Sequence, residues 1–140
     1  MEKYMKLAIK EAKKAQKHGD VPVGAIIVRN GKIIAKGHNK KEKKQIVTRH
    51  AEIEVIEKAC KKLQTWHLDD CDIYITIEPC QMCYGAIEQA RIKTIVYGSQ
   101  NDKFGYISKN NQKKIINYKS GVLQKECSEI IQNFFLKKRG

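Results

Sequence analysis

The sequence has no apolar run near the roughly 20 residues that a membrane-crossing helix needs, so no helical span is expected. Its start, Met1-Glu2-Lys3-Tyr4-Met5-Lys6, carries charge where a secretory signal would carry an apolar segment. There is no internal repeat and no linker between composition blocks. A disulfide framework is also missing. Five cysteines are an odd number without a repeating spacing, and two of them form a Cys-x-x-Cys of ligand spacing. That usage suits a reducing compartment, and the expectation is a soluble, cytoplasmic protein. Arginine is scarce too: only Arg29, Arg49, Arg91 and Arg139 stand among the 28 basic residues, in a chain rich in isoleucine and asparagine. The net charge of +13 fits a polyanionic partner. The codon bias of an A+T-rich genome would give the same excess of lysine with no partner at all.

What is present fits one domain. A chain of 140 residues can build a single core. Met5, Ala8, Ile9, Ala12 and Ala15 recur at helical spacing, which predicts a helix over 1–18 that Gly19 and Asp20 end. Val23–Val28 and Lys32–Ala35 flank Asn30-Gly31, the dipeptide of a type I′ hairpin turn. Gly24 and Gly37 mark bulges or close approaches. Lys40 to Gln45 reads as a polar loop whose lysines suit phosphate contact and suit a solvated surface equally. A second helix follows over 51–63, with Thr48 as a cap near its start. Ile73, Ile75 and Ile77 alternate along a strand over 72–78. Pro79 fits the first turn of a third helix reaching Ala90. A strand over 92–97, a loop over 101–114, a short strand over 115–118 and a closing helix over 123–138 complete the chain. The order α-β-β-α-β-α-β-loop-β-α predicts a three-layer α/β/α sandwich.

The chemistry concentrates between His50 and Cys83. His50 offers an imidazole, and Cys80 and Cys83 offer two thiols three residues apart, which share a face on the first turn of a helix. The positive end of that helix favours thiolates. A catalytic zinc site takes three protein ligands and keeps the fourth position for water. Two thiolates and one imidazole suit zinc and neutralise its charge, which makes a nearby base more valuable. Glu52 is that base. It lies two residues from His50, so both reach one site only if the helix begins at His50-Ala51-Glu52, with His50 at or before the first helical residue. One carboxyl that moves protons suffices for hydrolytic deamination of an amidine-like carbon. Cys60, Cys71 and Cys127 read as small core residues, any of which could supply a fourth ligand. Trp66 reads as packing.

These residues resemble the cytidine-deaminase-like zinc deaminases, whose signature is His-x-Glu followed by Pro-Cys-x-x-Cys. Within that family the chain is similar to the tRNA-specific adenosine deaminases over nearly its whole length. The likeness rests on Val21-Pro22-Val23-Gly24-Ala25, Gly37-His38-Asn39, Glu78-Pro79-Cys80-Gln81-Met82-Cys83, Arg91-Ile92, Val96-Tyr97-Gly98 and Phe134-Phe135. The resemblance implies a mixed sheet of about five strands in a single deaminase domain over 1–140. It implies one Zn2+ per subunit on His50, Cys80 and Cys83, with Glu52 as proton shuttle. Asn39 would bond the flipped nucleoside, Val23 would pack on the base, and the Ala51 backbone N–H would contact the ring. The substrate would be the wobble adenosine of a tRNA anticodon stem-loop, converted to inosine by a homodimer, with Lys103, Phe135 and Arg139 as RNA contacts.

Three stretches depart from the family pattern. Val47-Thr48-Arg49 replaces the usual Pro-Thr-Ala, which puts a bulky cation beside the site. Tyr84 replaces a small residue after the second cysteine. Tyr106-Ile107-Ser108-Lys109 replaces a Gly-Ser segment within the altered 104–111 loop. Two other functions use similar residues. One is deamination of a free base or nucleotide (guanine, cytosine or dCMP). The other is a non-catalytic, zinc-stabilised RNA-binding subunit, which four protein ligands on the metal would favour.

Overall fold

Strand residues alternate between two apolar layers, and that alternation builds the domain. A computed structural model describes residues 1–110 and 112–139; the side chain of Arg139 lies outside what it describes, and with it the RNA contact expected there. The elements are α1 (Glu2–Gln16), β1 (Gly24–Arg29), β2 (Lys32–His38), α2 (Lys41–Lys44), α3 (Ala51–Leu63), β3 (Cys71–Ile77), α4 (Gln81–Gln89), β4 (Thr94–Ser99), β5 (Asn117–Lys119) and α5 (Gln124–Arg139). Ile26, Val28, Tyr74 and Val96 face one way and bury against Met5, Ala8 and Ile9 of α1 and Cys127 of α5. Ala25, Ile27, Ile73, Ile75, Ile95 and Tyr97 face the other way, against Ala51, Val55 and Ala59 of α3 and Tyr84 and Ile87 of α4. Successive side chains on a strand point to opposite faces, so central strands with two covered faces read as nearly continuous apolar runs. Each fully buried isoleucine here contributes about 2–3 kcal/mol relative to exposure.

The sheet runs β2-β1-β3-β4-β5. β1 pairs antiparallel with β2 and β3, while β3–β4 and β4–β5 are parallel. This is the mixed five-stranded α/β/α sandwich expected. Asn30 and Gly31 have φ of 50° and 77°, the positive values that a type I′ turn requires. Gly24 and Gly37 mark close approaches rather than bulges. A Cβ on Gly24 would overlap the Ala8 carbonyl of α1, and one on Gly37 would press on Glu54 and Val55 of α3. The bulge lies between Ile27 and Val28 instead.

Several boundaries moved for identifiable reasons. Lys41–Lys44 forms a short helix rather than a loop, because Asp20 accepts the N–H groups of Glu42 (2.7 Å) and Lys43 (3.1 Å). Thr48 does not cap α3; the N-terminal N–H of Ala51 is taken by Asn39 Oδ1 at 2.8 Å. Pro79 stays outside α4, whose N-cap is Cys80, since its carbonyl accepts the Tyr106 N–H (3.0 Å). β4 starts at Thr94 rather than 92, because Arg91 turns the chain at φ 63°. β5 comes two residues later than expected.

Candidate active site

The carboxyl end of β3 and the N-termini of α3 and α4 meet at one point, the position where open α/β sheets place their ligands. His50 is the N-cap of α3, in extended conformation (φ −78°, ψ 155°), and Ala51 opens the helix. The helix therefore begins at the tripeptide as the spacing requires, and His50 and Glu52 turn toward the same site. Cys80 is the extended N-cap of α4, and Cys83 lies one turn in. His50 Nδ1 lies 3.4 Å from Cys83 Sγ and 3.9 Å from Cys80 Sγ. All three donor atoms fall within 4.8 Å of one another, so they could hold one metal ion. Zn–N of about 2.0 Å and Zn–S of about 2.3 Å set tetrahedral N···S edges near 3.5 Å, and the observed separations bracket that value. Among the described residues no further histidine, cysteine or carboxylate joins the group. Cys71 and Cys127 are buried core residues, and Cys60 is half-buried.

The donors hold protons that a metal ion would have to displace. The hydrogen bond from Cys83, reinforced by His50, pulls the Cys80 thiol down to about 4 despite burial. The Cys83 thiol is pushed up, first by Cys80 and then by burial. The pair thus shares one proton, which a divalent ion would displace. His50 is raised, first by its bond to Cys80. Burial lifts the Glu52 carboxyl to about 7, the range of a working general base. Glu52 is 3% exposed and abuts Cys83.

His50, Glu52 and Cys80 line an open cleft of about 900 Å³, and Cys83 lies fully buried beside them. Val23 and Asn39 line it, as does Lys103 from the loop after β4 and Phe135 from α5. Ala51 is fully buried, and its N–H is already donated to Asn39, so two of the expected nucleoside contacts are joined here in one hydrogen bond. Arg49 does not stand over the site. Its guanidinium bonds Glu54 (2.7 Å) and Glu57 (2.6 and 3.0 Å) on α3. Trp66 is 55% exposed rather than packed, with His67 stacked on it and Arg91 near its ring. Tyr84 and Tyr106, two of the departures, are partners. Their rings stack at 4.4 Å, and Tyr84 Oη accepts the Ile116 N–H.

Sequence reading missed four groups on the cleft. Lys109 and Lys113 join Lys41 and Lys103 at its rim, Phe104 lies 64% exposed, and Glu78 is buried at its base. The only signal for Glu78 was its place at a strand end directly before Pro79-Cys80.

Sheet order, helix placement and the His-Cys-Cys group beside a buried glutamate define the cytidine-deaminase-like class. The family model of MafB19-like deaminases matches residues 1–139, and the chain belongs to that family. It is 44% identical to the tRNA-specific adenosine deaminase of Bacillus subtilis strain 168, over 96% of this chain and 88% of that one. A solved structure from studies of A-to-I editing by tRNA:A34 deaminases superposes with a TM-score of 0.86 at 37% identity, covering 93% and 99% of the two chains. Guanine deaminase from Bacillus subtilis superposes with a TM-score of 0.69 at 38% identity, covering 81% and 77%. The protein is accordingly a hydrolytic deaminase by family, and the resemblance read from its motifs holds along the chain.

Proposed function

We propose that residues 1–140 form a single zinc-dependent deaminase domain that converts the wobble adenosine of a tRNA anticodon to inosine. The observation that carries this reading is the cleft itself. The buried Glu52 and the donors His50 and Cys80 line it, with the third donor, Cys83, buried beside them, and the exposed Lys41, Lys103, Lys109 and Lys113 line it too. A free base does not need four cations around an opening of this size, whereas an RNA loop brings phosphates to every side of the extruded nucleotide.

His50, Cys80 and Cys83 would hold one Zn2+ per subunit. The ion would supply Lewis acidity that makes water nucleophilic near neutral pH. Glu52 takes the proton as a C–O bond forms at C6 of adenine and delivers it to N1. It then carries a proton to the departing N6 as the C6–N6 bond breaks, so adenosine and water become inosine and ammonia. Val23 supplies an apolar wall for the base, and the Asn39 carboxamide, oriented by its bond to the start of α3, faces the nucleoside. Lys103 and Phe135 meet the flanking RNA. The working unit is a cytoplasmic homodimer; among the described residues no helix is long and apolar enough to cross a membrane.

The second reading, a guanine deaminase, draws support from the Bacillus subtilis structure of that name. Zinc-loaded protein should be offered a tRNA with adenosine at the wobble position, the same tRNA with guanosine there, and free guanine, cytosine and dCMP. Inosine formed in the first tRNA alone is the expected result. Ammonia released only from a small base overturns the tRNA assignment and keeps the site.

A further inference from the structure

The loop after β4 walls one side of the cleft, and a carboxylate outside the proton chemistry holds it there. Glu78 is 1% exposed. Its Oε1 accepts the Asn101 N–H (3.1 Å) and the Ser108 hydroxyl (3.0 Å), and its Oε2 accepts the Ser108 N–H (2.7 Å). A buried carboxylate is costly unless its oxygens are satisfied, and no cationic side chain pairs with it among the described residues. All three donors come from one loop. The strand-end segment adds two backbone ties to the same loop, since the Pro79 carbonyl accepts the Tyr106 N–H and Cys80 forms a β-bridge with Gly105. Gly105 has no room for a side chain; a Cβ there would overlap the Glu78 carboxylate and the Asn101 carbonyl. Between the anchored ends the loop carries Lys103, Phe104 and Tyr106 onto the cleft.

We propose that Glu78 is a positioning residue for the RNA substrate: it presets the 101–108 loop so that Lys103 and Phe104 stand at the cleft mouth before RNA arrives. The inference rests on the tRNA reading above. A loop ordered in advance spares the RNA the entropy of ordering it. Glu78 therefore governs affinity for the anticodon loop and not the chemical step.

The test is Glu78→Gln, nearly the same shape with one acceptor oxygen replaced by an NH2 that opposes a donor. Binding of a wobble-adenosine anticodon stem-loop is measured by fluorescence anisotropy in a Glu52→Gln background, beside steady-state kinetics, zinc content and amide exchange of zinc-loaded protein. Loss of charge-assisted hydrogen bonds to a buried carboxylate should weaken RNA binding and raise KM roughly tenfold. The kcat should stay within about threefold and zinc content should not change. Faster exchange should be confined to 101–108. Unchanged KM and RNA affinity overturn the proposal, and so does a fall in kcat and zinc content at constant KM, which would place the action of Glu78 on the Cys80 turn. Ser108→Ala removes one of the three bonds and carries the test if Glu78→Gln does not fold; a KM rise of about two- to threefold supports the proposal, and no rise overturns it. Wild-type protein that does not bind the stem-loop overturns the functional reading instead. Exchange over 101–108 then decides whether Glu78 sets the loop, and unchanged exchange overturns it.

Discussion

At the scale of single residues, Glu52 is, among the described residues, the buried carboxyl that abuts Cys83 of the His50–Cys80–Cys83 group. Glu52→Gln should lower kcat by about 10²–10⁴-fold while metal content, read by mass spectrometry, stays at the wild-type value. Loss of metal with activity would instead make Glu52 part of the ligand set. Arg49 leads to the opposite expectation. Its guanidinium faces Glu54 and Glu57, away from the cleft. Arg49→Met should cost about 1–3 kcal/mol of stability, because it leaves the buried Glu54 with Lys40 alone, and should leave KM for the tRNA unchanged. A raised KM would return Arg49 to the substrate. That His50, Cys80, Cys83 and Glu52 would cluster was legible in the sequence, since two donors three apart on a helix and a His-x-Glu at a helix start admit few geometries. It showed Arg49 only as a nearby cation. Which way a long side chain turns depends on acids five and eight positions later, and nothing in local spacing marks that choice.

Among the elements, α3 is held to the preceding segment by those same charges, and this gives a pH dependence. The hydrogen bond from Arg49 keeps the Glu57 carboxyl below the usual range. Burial pushes Glu54 up, but Lys40 and Arg49 outweigh it and the net shift is downward. Carboxyls depressed in the folded state add stability above their unfolded pKa and lose it as pH falls through the folded value. Denaturation midpoints should therefore fall between about pH 5 and pH 3, and less steeply in Arg49→Met than in wild type. Parallel curves would show that these pairs contribute nothing and that solvent screening cancels the pair at the half-exposed Glu57. The hairpin was readable because Asn30-Gly31 is a local signal. The cap of α3 and the short α2 were not, because their acceptors arrive from Asn39 and from Asp20, 12 and 22 positions earlier in the chain. A cap that comes from elsewhere in the fold leaves no trace in the helix's own sequence, so Thr48 looked like the natural choice.

For the whole molecule, composition left open whether the +13 charge meant a partner. The fold narrows that question by setting four lysines around one cleft. If RNA phosphates meet them, binding of the anticodon stem-loop should weaken with salt. Lys103→Ala or Lys109→Ala should each lower the slope of log K against log salt by about 0.7–0.9. A slope unchanged in both variants would place the RNA elsewhere. The three-layer order was legible from strand alternation alone. The cleft wall was not, because 101–109 has no periodicity and takes its shape from Glu78, Pro79 and Cys80 behind it.

The two margins of the sheet bear on how this isoleucine-rich chain stays dispersed at working concentration. An outer strand with unpaired backbone groups is a template for another copy to pair with. On one margin β2 sets exposed Lys32 and Lys36 beside Ile33, Ile34 and Ala35, and on the other β5 is only three residues long. Charge closes one margin and brevity the other, so the lysines of β2 act against edge-to-edge strand pairing between copies whether or not RNA is bound. Lys36→Ile would join the apolar residues of β2 into an open outer strand. Light scattering of that variant at rising concentration should show assemblies that wild type does not form, and equal scattering would mean that the twist of the sheet already protects this margin.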